Sequence, residues 1–214
     1  MDVSELPLVG GHPALDLVNT VERGVPAPGS EPRDYVAEPA TLLLWAGRAG
    51  LIDDPDARTV AETWDRDPGA AAAALDAVRD IREALHTALL AAIDGADPGA
   101  ALDRLHGRWL SAVGRSRLAP DPGGTYAARL VAGIVPASLV PDRAAHAALD
   151  LLRTADLGRV RRCPTESGGC GWIFLDRSRN GSRRWCRMAD CGTDAKSRRL
   201  TERRRAARQG TTTP

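Results

Sequence analysis

Lysine is nearly missing. Lys196 is the only one among 214 residues, so the cationic side chains are otherwise arginines. With heavy alanine use, this bias fits a GC-rich genome and carries no function by itself. No run of about 18 apolar residues occurs, which argues against a membrane-spanning helix and a membrane partner. The opening MDVSELPLVGG lacks the basic and apolar segments of a signal peptide. A cytoplasmic location is therefore expected, where thiols stay reduced. A nucleophile elbow, a phosphate-binding glycine loop, an H-E-x-x-H helix and a dinucleotide fingerprint are all missing, so the chain is expected not to be an enzyme. Aromatic residues make up only 4%, leaving few platforms for stacking single-stranded bases.

What is present divides unevenly. The apolar share of 43% supports one good-sized domain plus a small appendage. Residues 1–158 carry 14 arginines against 23 acids, while residues 159–214 carry 15 cations against 5 acids. That split, about −9 against +10, points the C-terminal part toward a polyanion.

The first 155 or so residues read as mostly helical. Acid–proline pairs at Glu38-Pro39, Asp54-Pro55, Asp67-Pro68 and Asp97-Pro98 predict helix starts, and Gly50, Gly95 and Gly114 predict stops. Helical stripes follow at Ala57, Val60, Ala61 and Trp64; at Leu75, Val78, Ile81, Leu85 and Leu89; and at Leu102, Leu105, Trp109 and Val113. A closing helix is expected near 141–155. Ser116 to Val131 reads as a hairpin around Pro120 to Gly124. Glu22 to Ala37 and the final GTTTP read as unstructured. His86, His106 and His146 lack metal spacing and read as half-buried packing residues. Trp45, Trp64 and Trp109 read as core.

All four cysteines, Cys163, Cys170, Cys186 and Cys191, fall within 29 residues, spaced C-x6-C, x15, C-x4-C. Two ligand-bearing loops joined by a hairpin through WIFLD and the Asn180-Gly181 turn would converge tetrahedrally. Zinc is favoured over disulfides, an iron–sulfur cluster or free thiols. Four thiolates leave no open position, so the expectation is one structural zinc per chain.

RRCPTESGGCGWIFLDRSRNGSRRWCRMADCGTDAKSRR resembles the CGNR zinc finger. GGHPALDLVNTVERG is similar to the start of the ABATE domain that usually precedes that finger. The resemblance implies a bacterial transcription regulator. The signature departs at its end: Thr193 and Asp194 stand where the family has Asn and Arg. An acid at that edge either removes a phosphate contact or caps the following helix, and capping is the favoured reading.

The expected fold is thus mainly α with a small β-hairpin element and a C-terminal treble-clef-like four-cysteine zinc finger. The expected parts are a helical ABATE-like domain over 1–156, the finger with its basic helix over 157–208 and a disordered tail over 209–214. The expected activity is zinc-dependent binding of double-stranded DNA in transcription regulation. Candidate DNA contacts are Arg177, Arg179, Arg183, Arg184, Lys196, Arg198, Arg199, Arg203 and Arg204. The alternative is a zinc-finger protein-interaction module with no nucleic-acid role. Trp172, Phe174 and Trp185 read as the finger's small core. His12, Asp16 and Asn19 form a candidate effector pocket, against a plainer reading as capping and buried hydrogen-bond partners. A small-molecule effector and a homodimer are further expectations.

Overall fold

A computed structural model describes residues 2–24 and 32–210, with side chains through residue 203. Among the described residues no helix is long and apolar enough to cross a membrane.

The organising element is α4, Pro68–Asp94. It starts where sequence chemistry says it should. Asp67 accepts from the Ala70 N–H, Pro68 takes the first turn, and Gly95 closes the helix at φ 68°. Its stripe of Leu75, Val78, Ile81, Leu85 and Leu89 is wholly buried. Around it pack α1 (Pro13–Val18), α2 (Pro39–Arg48), α3 (Asp54–Arg66), α5 (Ala100–Gly114) and α6 (Leu139–Thr154). Glu38 is the N-cap of α2 as expected, whereas Asp53, one residue earlier than predicted, caps α3. Asp97-Pro98 does not open a helix. Asp97 instead accepts from the Gly99 N–H, and α5 begins at Ala100.

The stripe predicted on α5 is largely outside. Leu102 and Val113 are exposed and Trp109 is half-buried. The helix sits against α4 and α6 through Leu105, the one member of the stripe that is buried, and through the small residues Ala101 and Ala112. His106 and His146 are exposed, His106 stacked on Trp109, so only His86 is half-buried as expected. Burial, and secondarily Arg23, pulls His86 down to about 4, which keeps it neutral near pH 7.

The hairpin expected within 116–131 is present as β1 (Arg117–Pro120) and β2 (Tyr126–Arg129), antiparallel with Leu118 opposite Ala128. The stretch read as unstructured from Glu22 is tied down at both ends. Val21 bridges Asp34, and the Tyr35 N–H donates to Thr20 O at 2.8 Å. Beneath the bridge, buried Arg82 of α4 grips Asp34 through two bonds of 2.8 Å and donates to the Thr20 hydroxyl at 3.1 Å. Residues 25–31 and 211–214 of the stretches read as unstructured lie outside the described residues.

The hydrophobic core does not stop at residue 156. Val160, Trp172, Ile173 and Phe174 belong to the same buried cluster as Leu85 and Leu151. They come from β3 (Val160–Arg162) and β4 (Ile173–Leu175), which pair antiparallel with Arg161 opposite Phe174. The last helix is α7, Thr193–Gly210.

Candidate metal centre

The β3–β4 ladder brackets the first cysteine pair, whereas the sequence suggested a hairpin between the two pairs. The Cys163 N–H donates to Trp172 O at 2.8 Å, so the ladder runs on into the first ligand. A turn over Thr165–Ser167 absorbs the extra length of the C-x6-C loop. Gly169 is needed there, because a Cβ would lie 2.6 Å from the Cys163 sulfur. After β4 the chain does not return as a strand. Buried Asp176 turns it, accepting from the Ser178 N–H at 2.8 Å and the Arg183 N–H at 2.9 Å. The Ser178 side chain first, and then these two backbone donors, hold its carboxyl below the usual range against the opposing effect of burial. The chain then delivers Cys186 and, through a π-turn at Met188–Gly192, Cys191 at the foot of α7.

All four sulfur atoms lie within 4.8 Å of one another, with Cys170–Cys186 at 3.3 Å and Cys186–Cys191 at 3.7 Å. A tetrahedral zinc with Zn–S near 2.3 Å asks for sulfurs roughly 3.8 Å apart, so donor set and spacing fit zinc. Cys163 and Cys186 are buried, Cys170 and Cys191 half-buried. Such crowding pulls the thiols apart in acidity. Hydrogen bonds from Cys170 and Cys186 push Cys163 down, while the bond with Cys163 pushes Cys170 and Cys186 up. Burial pushes Cys191 up. A divalent cation at their centre would let all four ionise.

Residues 159–204 match the CGNR zinc finger family. Residues 11–155 match the ABATE family, described as "Putative stress-induced transcription regulator". The chain belongs to the ABATE family. No curated protein matches it.

Within this ABATE chain the signature's end is now explained in part. A Cβ on Gly192 would fall 2.4 Å from the sulfur of Met188, an exposed and flexible side chain that would have to move aside. Thr193 does not cap α7 with its side chain. The π-turn runs straight into the helix, and the Thr193 N–H already donates to the Asp190 and Met188 carbonyls. Its hydroxyl donates to Met188 O at 3.1 Å, stitching turn to helix. Asp194 lies exposed in the first turn, where the helix dipole favours an acid.

The predicted DNA contacts separate into two groups. Arg183 is used internally. Its guanidinium lies 4.4 Å from the Phe174 ring centroid and donates to the carbonyls of Cys186, of Trp185 at 3.1 Å and of Val9 at 3.1 Å. Arg177 donates to Gly11 O at 2.6 Å. Arg179, Arg184, Lys196, Arg198, Arg199 and Arg203 are exposed and form no ion pair among the described residues. The side chain of Arg204 lies outside the described residues. Arg162, exposed at the end of β3, belongs with the free group although no spacing rule singled it out. Trp172 and Phe174 are buried and Trp185 is half-buried, so none of the three offers an open stacking platform.

His12, Asp16 and Asn19 do not line one pocket. They form a junction. Asn19 donates to Ile173 O and accepts from the Ile173 N–H, both at 2.8 Å, like an extra strand beside β4. The His12 imidazole caps α1, accepting from the Ala14 N–H at 3.2 Å, and its other nitrogen lies 3.5 Å from Asp150. Asp16 accepts from the Gly10 N–H at 2.8 Å, while Gly10 O takes the Leu175 N–H. Burial outweighs the N–H donors and raises Asp16 to about 6. A raised carboxyl stabilises the fold while protonated and loses that contribution as pH climbs through 6. Two units correspond to about 3 kcal/mol. Asp16→Asn should therefore gain stability relative to the parent between pH 4 and 7, read from urea midpoints across that window. Parallel pH profiles for the two proteins would contradict this.

Proposed function

We propose that the chain is a zinc-dependent regulator that binds duplex DNA through the exposed cations of the finger and α7. Zinc is structural, one ion per chain. Cys163, Cys170, Cys186 and Cys191 would hold it, filling every coordination position, so it supplies cross-linking and not Lewis-acid chemistry. The observation that carries the reading is the set of exposed cations with no ion pair among the described residues: Arg179, Arg184, Lys196, Arg198, Arg199 and Arg203, gathered on the finger and its helix. The rest of the chain bears a net negative charge and would turn away from the same polyanion, so contact is confined to this face.

Binding by six such cations gives a slope of roughly −5 when the logarithm of the association constant is plotted against that of salt concentration. The double replacement Arg198→Ala and Arg199→Ala should flatten the slope by about 2 and weaken all sequences alike. Arg183→Ala should instead lower stability, because its partners are carbonyls within the fold. Fluorescence anisotropy with a short duplex at several salt concentrations checks both. A flat salt response with zinc loaded would rule the reading out and leave a protein-interaction module in its place.

A further inference from the structure

A cavity of about 310 Å³ opens where the N-terminal residues meet the zinc centre. Val9 and Tyr35 line it from one side, Trp172 from the other, and three ligand cysteines, Cys170, Cys186 and Cys191, form its floor. The volume is roughly twice the ~150 Å³ that admits benzene, which suits two fused rings. The walls are mostly apolar and aromatic. The charged side chains in the lining are Glu22, Asp190 and Arg187, two acids against one cation. The Tyr35 hydroxyl donates to one oxygen of Glu22 at 2.7 Å, and the second oxygen meets no cation among the described residues. Burial, with Glu22 second, pushes Tyr35 up to about 12, so it stays a neutral donor. Arg187 is matched by Asp190 at 3.4 Å. Arg33 covers the Tyr35 ring at 5.1 Å but is not part of the lining.

We infer that this cavity is a binding site for a small aromatic cation, a protonated amine on a one- or two-ring skeleton. The rings would enter between Trp172, Tyr35 and Val9, and the ammonium would meet the second oxygen of Glu22. A zinc bound by four thiolates keeps net negative charge, and its half-buried sulfurs at Cys170 and Cys191 face the same space. Aromatic walls favour a cation further. The zinc contribution rests on the metal reading above, whereas Glu22 and the ring walls stand without it. The site is distinct from the expected pocket at His12, Asp16 and Asn19.

The test uses the zinc-loaded full chain and two probes of equal shape, 1-naphthylmethylammonium and neutral 1-naphthylmethanol. Calorimetry should show the ammonium binding roughly tenfold more tightly than the alcohol. Glu22→Gln keeps an oxygen for the Tyr35 hydroxyl and removes the charge, so it should bring the two probes within about threefold of each other. Proton–nitrogen correlation spectra should place the shifts at the Trp172 indole N–H and the Tyr35 backbone. Equal affinity for both probes, no ammonium binding at millimolar concentration, an unchanged preference in Glu22→Gln or shifts centred elsewhere would each overturn the site. DNA affinity plays no part in these readouts, so the duplex-binding reading can fail independently.

Discussion

Replacing Cys186 by serine, or stripping zinc with a chelator, unfolds the C-terminal part of the chain and weakens the rest. The segment from Val160 to Gly192 has two three-residue strands and few buried side chains, far too little to order itself. Structural zinc contributes an apparent ~10–16 kcal/mol in isolated fingers, as large as the total stability of an ordinary domain. Cys186 is the more damaging site because its sulfur lies 3.3 Å from Cys170 and 3.7 Å from Cys191, joining the two ligand pairs. Its carbonyl also receives the Arg183 guanidinium. Loss of the metal therefore releases Phe174, on which Arg183 lies, and with it part of the shared core. Metal analysis should find one zinc per chain in the parent and less than a tenth of that in Cys186→Ser. Amide exchange should lose protection across β3 and β4 first and across α1 next. Full protection in the metal-free protein would contradict a structural zinc.

How much of this was visible in the sequence depended on how local the physics is. The caps of α2 and α4 were legible because an acid and a proline act on N–H groups within three residues. The four candidate ligands were legible because four cysteines paired within 29 residues are the donor set and spacing of a zinc site. The partner of β4 was not legible. Strands of three residues carry no measurable alternation, and β3 lies on the far side of the knuckle from the turn signal at Asn180-Gly181. The arginines show the same limit. Arg183 and Arg184 are neighbours of one type, yet one is stacked on Phe174 and the other is exposed, and only the Asp176 turn decides which. On α5 the stripe placed Leu105 correctly but not Leu102 and Val113, because the helix approaches its neighbours through Leu105 flanked by Ala101 and Ala112.

Asn19→Ala should cost roughly 2–6 kcal/mol, although Asn19 touches neither the metal nor any free cation. Its carboxamide is 2% exposed and makes two bonds of 2.8 Å to one residue, Ile173. Ile173 sits on β4, whose other edge pairs with β3, and its N–H and C=O face Asn19. Deleting the amide leaves both backbone groups buried without partners, at about 1–3 kcal/mol each. The plainer sequence reading of Asn19 as a buried hydrogen-bond partner matches this role, but its partner is a backbone 154 residues away, which has no signature of its own. Asn19→Asp tests the reason for the cost. It keeps the acceptor for the Ile173 N–H but sets a carboxylate against the Ile173 carbonyl, so it should destabilise at least as much near neutral pH and recover in part on acidification. Urea midpoints at two pH values separate this from simple loss of packing. A cost below about 1 kcal/mol for Asn19→Ala, with unchanged exchange at Ile173, would mean that the Asn19 bonds contribute little and that the finger is held by its apolar contacts and the remaining bonds to Gly10, Gly11 and Val9.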